Sequence, residues 1–466
     1  MTKATRRSLR TWSIVVALLA TALGPLAAPT PAAADDPPSF LTAWGSEGTG
    51  DGQFQAAWSV AVDGSGSVYV ADFSGDRVQK FTATGDYLTQ WGTSGSEPGQ
   101  FADPGGIAVD RSDDTVYVAD TWNNRVQKFT STGGFLQQWG TAGVGEGEFT
   151  YPDGIAVDGD GNVYVADAEN RIQKFTSTGD FVMQWDTRSA GGAGGPEGVA
   201  VDGDGYVYVV ENSGNDPFPG NVQRVEKYTS TGTFVTQWGS FGTGPGQFIF
   251  PHGVAVDGEG HVYVADTEND RIQEFTSTGT FVTAWGTTGS AAGQLRSPMG
   301  VTTDGADRVY VADDGNYRIE LFGPAPVPDG RIKLGATGAL KGDDVYNTTG
   351  VGQTARATVP RGSTATFWVS AQNDAPFEDA LRLRGTASNT AFKVTYTVLG
   401  ADVTAAVTSG AYTTVALGPG DSVLIKVVVK ARATAPAGAS LTGTMAVKSD
   451  SFPTFRDTVR FVTTRA

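Results

Sequence analysis

One pattern recurs six times between residues 40 and 323 and leaves the chain few folds to choose from. Aspartates closing a short apolar run stand at Asp63, Asp110, Asp158, Asp202, Asp257 and Asp304, separated by 47, 48, 44, 55 and 47 residues. A second series runs Asp72, Asp120, Asp167, Glu211, Asp266 and Asp313, and a third runs Trp44, Trp91, Trp139, Trp185, Trp238 and Trp285. Three series at one period mean six copies of one unit, and a period in this range is the mark of a stacked or radial repeat protein.

Each unit reads as four strands. In the third copy these are Gly154 to Asp158, Val163 to Asp167, Arg171 to Phe175 and Phe181 to Trp185. The first two are continuous apolar runs rich in Val, Ile and Tyr, as expected of strands covered on both faces. The last two alternate apolar and polar residues, which predicts positions nearer an outer rim. Gly159-Asp160-Gly161-Asn162 and Ser177-Thr178-Gly179-Asp180 supply turn chemistry between them. Four antiparallel strands repeated radially make a six-bladed β-propeller, so the expected class is all-β. The sixth copy lacks its fourth strand, and Phe40-Leu41-Thr42-Ala43-Trp44-Gly45 matches Phe281 to Gly286. Residues 40–45 are therefore expected to complete the last blade and close a propeller spanning 35–323.

The flanks read differently. Lys3, Arg6, Arg7 and Arg10 precede an apolar stretch from Ser13 to Ala28 and the small residues Ala32-Ala33-Ala34. This predicts a secretory signal peptide over residues 1–34, by the general or the twin-arginine route, and hence an extracellular protein. A Pro-rich linker is expected over 324–330. Residues 331–466 lose the repeat but keep strand-like runs such as Thr366 to Ser370, Phe392 to Val398 and Ser422 to Val429. Their short spacing suggests a β-sandwich similar to the immunoglobulin-like modules of secreted bacterial proteins.

The unit Pro152-x-Gly154-Ile-Ala-Val-Asp158, Val-Tyr-Val-Ala-Asp167, Asn170-Arg171-Ile-Gln-Lys-Phe175 resembles the NHL repeat. That resemblance implies a propeller, and among its members are binding modules of ubiquitin ligases, RNA-binding regulators, bacterial sensor domains and an amidating lyase. The ligase type carries Cys-rich zinc modules, and this chain has no Cys. RNA binding calls for a basic face, whereas 33 Lys+Arg stand against 50 Asp+Glu. With the four cations of residues 1–34 removed, 29 face 50, a balance of −21. No nucleic-acid partner is expected, and no membrane-spanning segment in the mature chain.

In such a propeller the residue before the Gly of each first strand lines the channel mouth. These positions hold Trp58, Gly105, Asp153, Glu197, His252 and Met299. The resemblance to the amidating lyase implies zinc-binding His residues there; this sequence has one. Asp153, Glu197 and His252, from successive blades, suit a divalent cation, the one cofactor the residues suggest; the alternative is a solvated acidic mouth holding ordered water. Phe73 and Trp122, in hairpins on the same face, and Phe218, in an extra stretch from Asn212 to Gly220, are candidate aromatic anchors. Asp158, Asp160, Asn162 and Glu169 imitate a calcium loop but read better as a hairpin turn. No catalytic constellation stands out. The leading expectation is a secreted binding protein whose propeller face takes an extracellular protein or glycan. A lyase or hydrolase with a metal at the mouth and a structural envelope component are the alternatives.

Overall fold

A computed structural model describes residues 37–187, 195–212, 222–324, 328–335, 337, 340, 353–373, 379–418, 420–450 and 456–466. The proposed signal peptide, Phe218 and residues 191–194 lie outside them. Six four-stranded antiparallel sheets follow one another, the arrangement of a β-propeller. In blade one the strands are Ala57–Val62, Val68–Asp72, Arg77–Phe81 and Tyr87–Trp91. Blade six takes three strands from Pro298–Thr303, Val309–Asp313 and Arg318–Gly323, and its outer strand is Ser39–Trp44. That strand pairs antiparallel with Arg318–Gly323, Trp44 opposite Ile319 and Phe40 opposite Phe322.

The third strands differ from the rim position that their alternation predicts. In Arg77–Phe81 the Arg and Gln are buried along with the apolar residues, and the same holds for Arg125–Phe129 and Arg171–Phe175. The reason is a clamp that satisfies every polar group. Asp72 Oδ1 accepts from the Gln55 and Ala56 amides at 2.8 and 2.9 Å, and Oδ2 accepts from Arg77 Nε at 2.9 Å. The Arg77 guanidinium also donates to the carbonyls of Thr49 and Gln53, each at 2.7 Å, and to Gln90 Oε1 at 2.9 Å. Buried charges are tolerated only when paired and hydrogen-bonded in this way. The Asp–Arg contact recurs as Asp120–Arg125, Asp167–Arg171, Asp266–Arg271 and Asp313–Arg318, at 2.7 to 2.9 Å. These pairs are structural. So is the loop resembling a calcium site: Asp158 Oδ1 accepts from the Asp160 and Asn162 amides at 3.0 and 2.8 Å, closing a hairpin turn.

Neighbouring blades are joined by the Trp series. Five of the six fourth-strand Trp residues lie on the glycine of the next blade's outer turn. A Cβ on Gly179 would come 2.7 Å from the Trp139 ring, and one on Gly133 would come 2.6 Å from Trp91. Gly179 also sits at φ +75°, so both space and backbone require glycine there. Trp285 faces no such glycine, because blade six takes its outer strand from Ser39–Trp44; like the others it meets the third-strand aromatic of the next blade, here Phe322 at 5.9 Å, and Phe322 in turn contacts Phe40 of the closing strand at 6.1 Å.

Beyond the repeats, the linker is shorter than the sequence suggested, because Pro328–Leu334 is already a strand, paired with Phe367 to Asn373. Two five-stranded sheets follow, and one cluster of buried residues draws on both, including Phe367, Tyr396, Val427, Leu383, Val447 and Phe461. The short helix Thr404–Ser409 was not foreseen. Among the described residues no helix is long and apolar enough to cross a membrane.

Candidate functional site

The site is built on the first strands. Their backbones approach so closely that a Cβ on Gly154 would lie 2.3 Å from the Glu197 carbonyl oxygen, and one on Gly198 would lie 2.3 Å from that of His252. This contact fixes the spacing of adjacent strands around a channel of about 310 Å³ lined by all six blades. At one end Arg111 reaches across, donating to the carbonyls of Val62, at 3.4 Å, and Thr303. At the other end the strands carry the residues that precede each glycine.

Asp153, Glu197 and His252 meet there. His252 Nε2 lies 3.1 Å from Asp153 Oδ2 and 3.9 Å from Glu197 Oε2. One ligand atom from each of the three residues falls within 4.8 Å of the others. His252 is buried, whereas Glu197 and Asp153 are half-buried and open to the channel. Burial favours neutral imidazole, but Asp153 and then Glu197 outweigh it and hold the His252 pKa above its ordinary value. Burial raises Glu197, against the pull of His252. The Asn212 side chain bonds Glu197 and also donates to the Pro251 carbonyl at 3.1 Å, which steadies the carboxylate from behind. Gly105 leaves room for Asp153: a Cβ there would fall 2.1 Å from Asp153 Oδ1.

Trp58 stands edge-on to His252, with centroids 5.2 Å apart, and stacks on Phe73 at 4.5 Å and 25°. The other two expected mouth residues behave differently. Met299 is buried, and Gly300 rather than Met299 lines the channel at blade six. Trp122 does not match Phe73; it follows Thr121, the residue that does. Phe73 turns inward onto Trp58, whereas Trp122 is 57% exposed and meets Tyr151 edge-on at 5.1 Å. The expected aromatic pair is therefore two separate features.

A second ring of mouth residues was missed. The residue after each clamp acid is Phe73, Thr121, Ala168, Asn212, Thr267 or Asp314. Reading that column across the six copies would have found Asp314. Its carboxyl is pushed up to about 6 by burial, then by Asp313 and Asp72, with His252 opposing. Asp314 Oδ1 and Trp58 Nε1 are buried without a hydrogen-bond partner among the described residues. The mouth thus combines three carboxyl groups, an imidazole that gains a proton readily and a stacked indole. Such a set can bind polar ligands and stack on flat ones. Asp153, Glu197 and His252 can hold a divalent cation, in competition with the His252 proton. One imidazole and two carboxylates do not fit the His set that the lyase resemblance implies.

Three stretches, residues 101–129, 149–175 and 248–275, match the NHL repeat family; they fall in blades two, three and five. The matched stretches run from the approach loop through the third strand, and so contain the Asp–Arg clamp. No curated protein matches the sequence. Among solved structures, a streptogramin B lyase is similar over 61% of this chain and 97% of its own, with 15% identity and a TM-score of 0.43. The hydrazine synthase of Kuenenia stuttgartiensis is similar over 60% and 98%, with 12% identity and a TM-score of 0.43. A Bacteroides thetaiotaomicron protein of unknown function is similar over 61% and 75%, with 18% identity and a TM-score of 0.47. Likenesses of this size say nothing about activity.

Proposed function

We propose that this protein is an exported binding protein whose channel mouth engages an extracellular protein or glycan. One observation carries the reading: the six blades repeat their clamps almost residue for residue and depart from one another where they face the mouth. Trp58, Asp153, Glu197, His252 and Asp314 occupy two columns that the scaffold leaves free to vary. A half-buried indole stacked on Phe73 beside carboxylates suits a sugar face or a peptide carrying donors. The leader-like residues 1–34 support export. Two sheets sharing one core support an immunoglobulin-like β-sandwich over 331–466.

The test is to screen the purified protein against a glycan array and a panel of extracellular proteins, alongside Trp58→Ala and Glu197→Ala. A partner lost at least tenfold in both variants is expected. A partner unaffected by either would place binding elsewhere, and no partner across both screens would count against the reading.

A second reading rests on the convergence of Asp153, Glu197 and His252 within 4.8 Å. It puts a divalent cation at the mouth, as a structural ion or for lyase or hydrolase chemistry. Elemental analysis of the purified protein should then find one equivalent of metal, lost in His252→Ala. A metal content near zero after incubation with zinc, manganese and calcium would remove this reading and leave the first intact.

A further inference from the structure

The third strands carry a glutamine that does specific work. Gln79, Gln127, Gln173 and Gln273 each accept from the amide of Gly52, Gly99, Gly147 or Gly246, at 2.9 to 3.0 Å. Each Nε2 donates to the carbonyl of Gln53, Gln100, Glu148 or Gln247, at 2.6 to 2.7 Å. In three blades Nε2 also donates to the clamp aspartate, at 2.9 to 3.1 Å. Every group facing that nitrogen is an acceptor.

In blade six this column holds Glu320, which is fully buried. Its Oε1 accepts from the Gly293 amide at 3.3 Å, as the glutamine oxygen does, and from Arg318 Nη2 at 2.8 Å. Its other oxygen, Oε2, is buried and has no hydrogen-bond partner among the described residues, whereas the glutamine nitrogen of the other blades donates. An ionised carboxylate has no hydrogen to offer acceptors, whereas a protonated one has. We propose that Glu320 is a proton-carrying surrogate for glutamine, and that its ionisation loosens the blade that closes the ring.

The groups that act on Glu320 agree. Burial pushes its carboxyl up to about 8, with Arg318 opposing and Asp313 adding to the rise. The approach loop contributes the Gly293 amide, and the closing strand Ser-Phe-Leu-Thr-Ala-Trp brings no titratable side chain. Ala43 of that strand is the register partner of Glu320. In blades one to three the matching residue is Gln90, Gln138 or Gln184, which accepts from the clamp arginine at 2.9 to 3.1 Å. The closing strand therefore lacks a side-chain tie that those blades have, and it sits directly beside the titrating group.

The sign follows from the raised value. Below the ordinary glutamate range the folded and opened states both hold the proton. From there up to about 8 only the closed state holds it, so closure weakens as pH rises through that window. Hydrogen exchange of the full chain at pH 6 and pH 9, corrected for intrinsic rates, reads this directly. Protection of residues 39–44 should fall roughly tenfold or more beyond any fall in residues 135–139 of blade two. Glu320→Gln should abolish the excess. Gln273→Glu should carry the same pH dependence into blade five, which tests the device without touching the closing strand. Equal behaviour of the two segments in the natural protein, an excess that survives in Glu320→Gln, or a blade five indifferent to Gln273→Glu would each overturn the proposal.

Discussion

Asp72 and Phe73 are neighbours in the chain and obey opposite rules. Across the six copies the first position reads Asp, Asp, Asp, Glu, Asp, Asp, and the second reads Phe, Thr, Ala, Asn, Thr, Asp. The first carboxylate is buried and takes its bonds from the approach loop and the third-strand arginine, so only an acid of the right reach fits. The second side chain lies at the channel end, where its partners change from blade to blade: Asn212 and Thr267 donate to the next blade's Pro251 and Pro298 carbonyls, whereas Phe73 stacks on Trp58. In a repeat protein, constancy between copies measures what the scaffold demands, and variation marks where the scaffold is indifferent.

The sharpest way to break this contrast is to strike the constant column. Asp120→Ala leaves Arg125 buried with its carboxylate gone, and also strips a partner from Gln127. Removing one member of a buried pair costs about 3–5 kcal/mol, which in a domain of this size lowers Tm by about 10 °C. Thermal denaturation checks it; a loss under about 1 kcal/mol would mean that the clamp is decoration. Gly179→Ala strikes the contact between blades, forcing a Cβ toward Trp139 at a positive φ. It is expected to cost about 1–3 kcal/mol, measured by the denaturant midpoint at constant slope.

Blade four tests the comparison from inside. There the clamp acid is Glu211 and the glutamine column holds Glu226, with Arg224 donating to Glu211 at 2.8 Å. Burial, then Glu211, pushes Glu226 up to about 7. The folded state keeps a proton that the unfolded chain releases near pH 4.5, so this stability is present at low pH and fades as pH rises to about 7. Glu226→Gln should flatten the Tm–pH profile between pH 5 and 8 by a few degrees. A profile parallel to that of the natural protein would show Glu226 ionised in the fold.

The repeat made the propeller readable, because three spaced series specify strand count, turn positions and blade number together. The clamp acids were readable as structural for the same reason: an acid recurring in all six copies, five times as Asp and once as Glu, does not mark six active sites. The mouth was only half readable. Asp153, Glu197 and His252 stood out against the glycine of each first strand, but Met299 occupies the same column and does not line the channel. Asp314 hid because its column has no common residue type and so no pattern to notice. The burial of the third strands was invisible to alternation, since Arg77 and Gln79 look like solvent-facing residues until the carbonyls of Thr49 and Gln53 are placed against them.

The smallest expected effect separates two tryptophans. Trp58 is stacked on Phe73 and set against His252, so truncating it to Ala removes contacts on two sides and should cost about 2–4 kcal/mol. Trp122 is 57% exposed and touches Tyr151 only at its edge. Trp122→Ala should therefore stay within about 0.5–1 kcal/mol of the natural protein, the worth of one exposed aromatic contact. Both residues lie at the same end of the propeller, and both stand among the ligand-binding candidates that the sequence offers, Trp58 at the channel mouth and Trp122 as an aromatic anchor. Denaturation alone distinguishes a half-buried aromatic that helps to hold the mouth from one that only stands beside it. Equal losses would mean that Trp122 bears on the fold as Trp58 does, and that the line between scaffold and display lies further from the channel than its exposure places it.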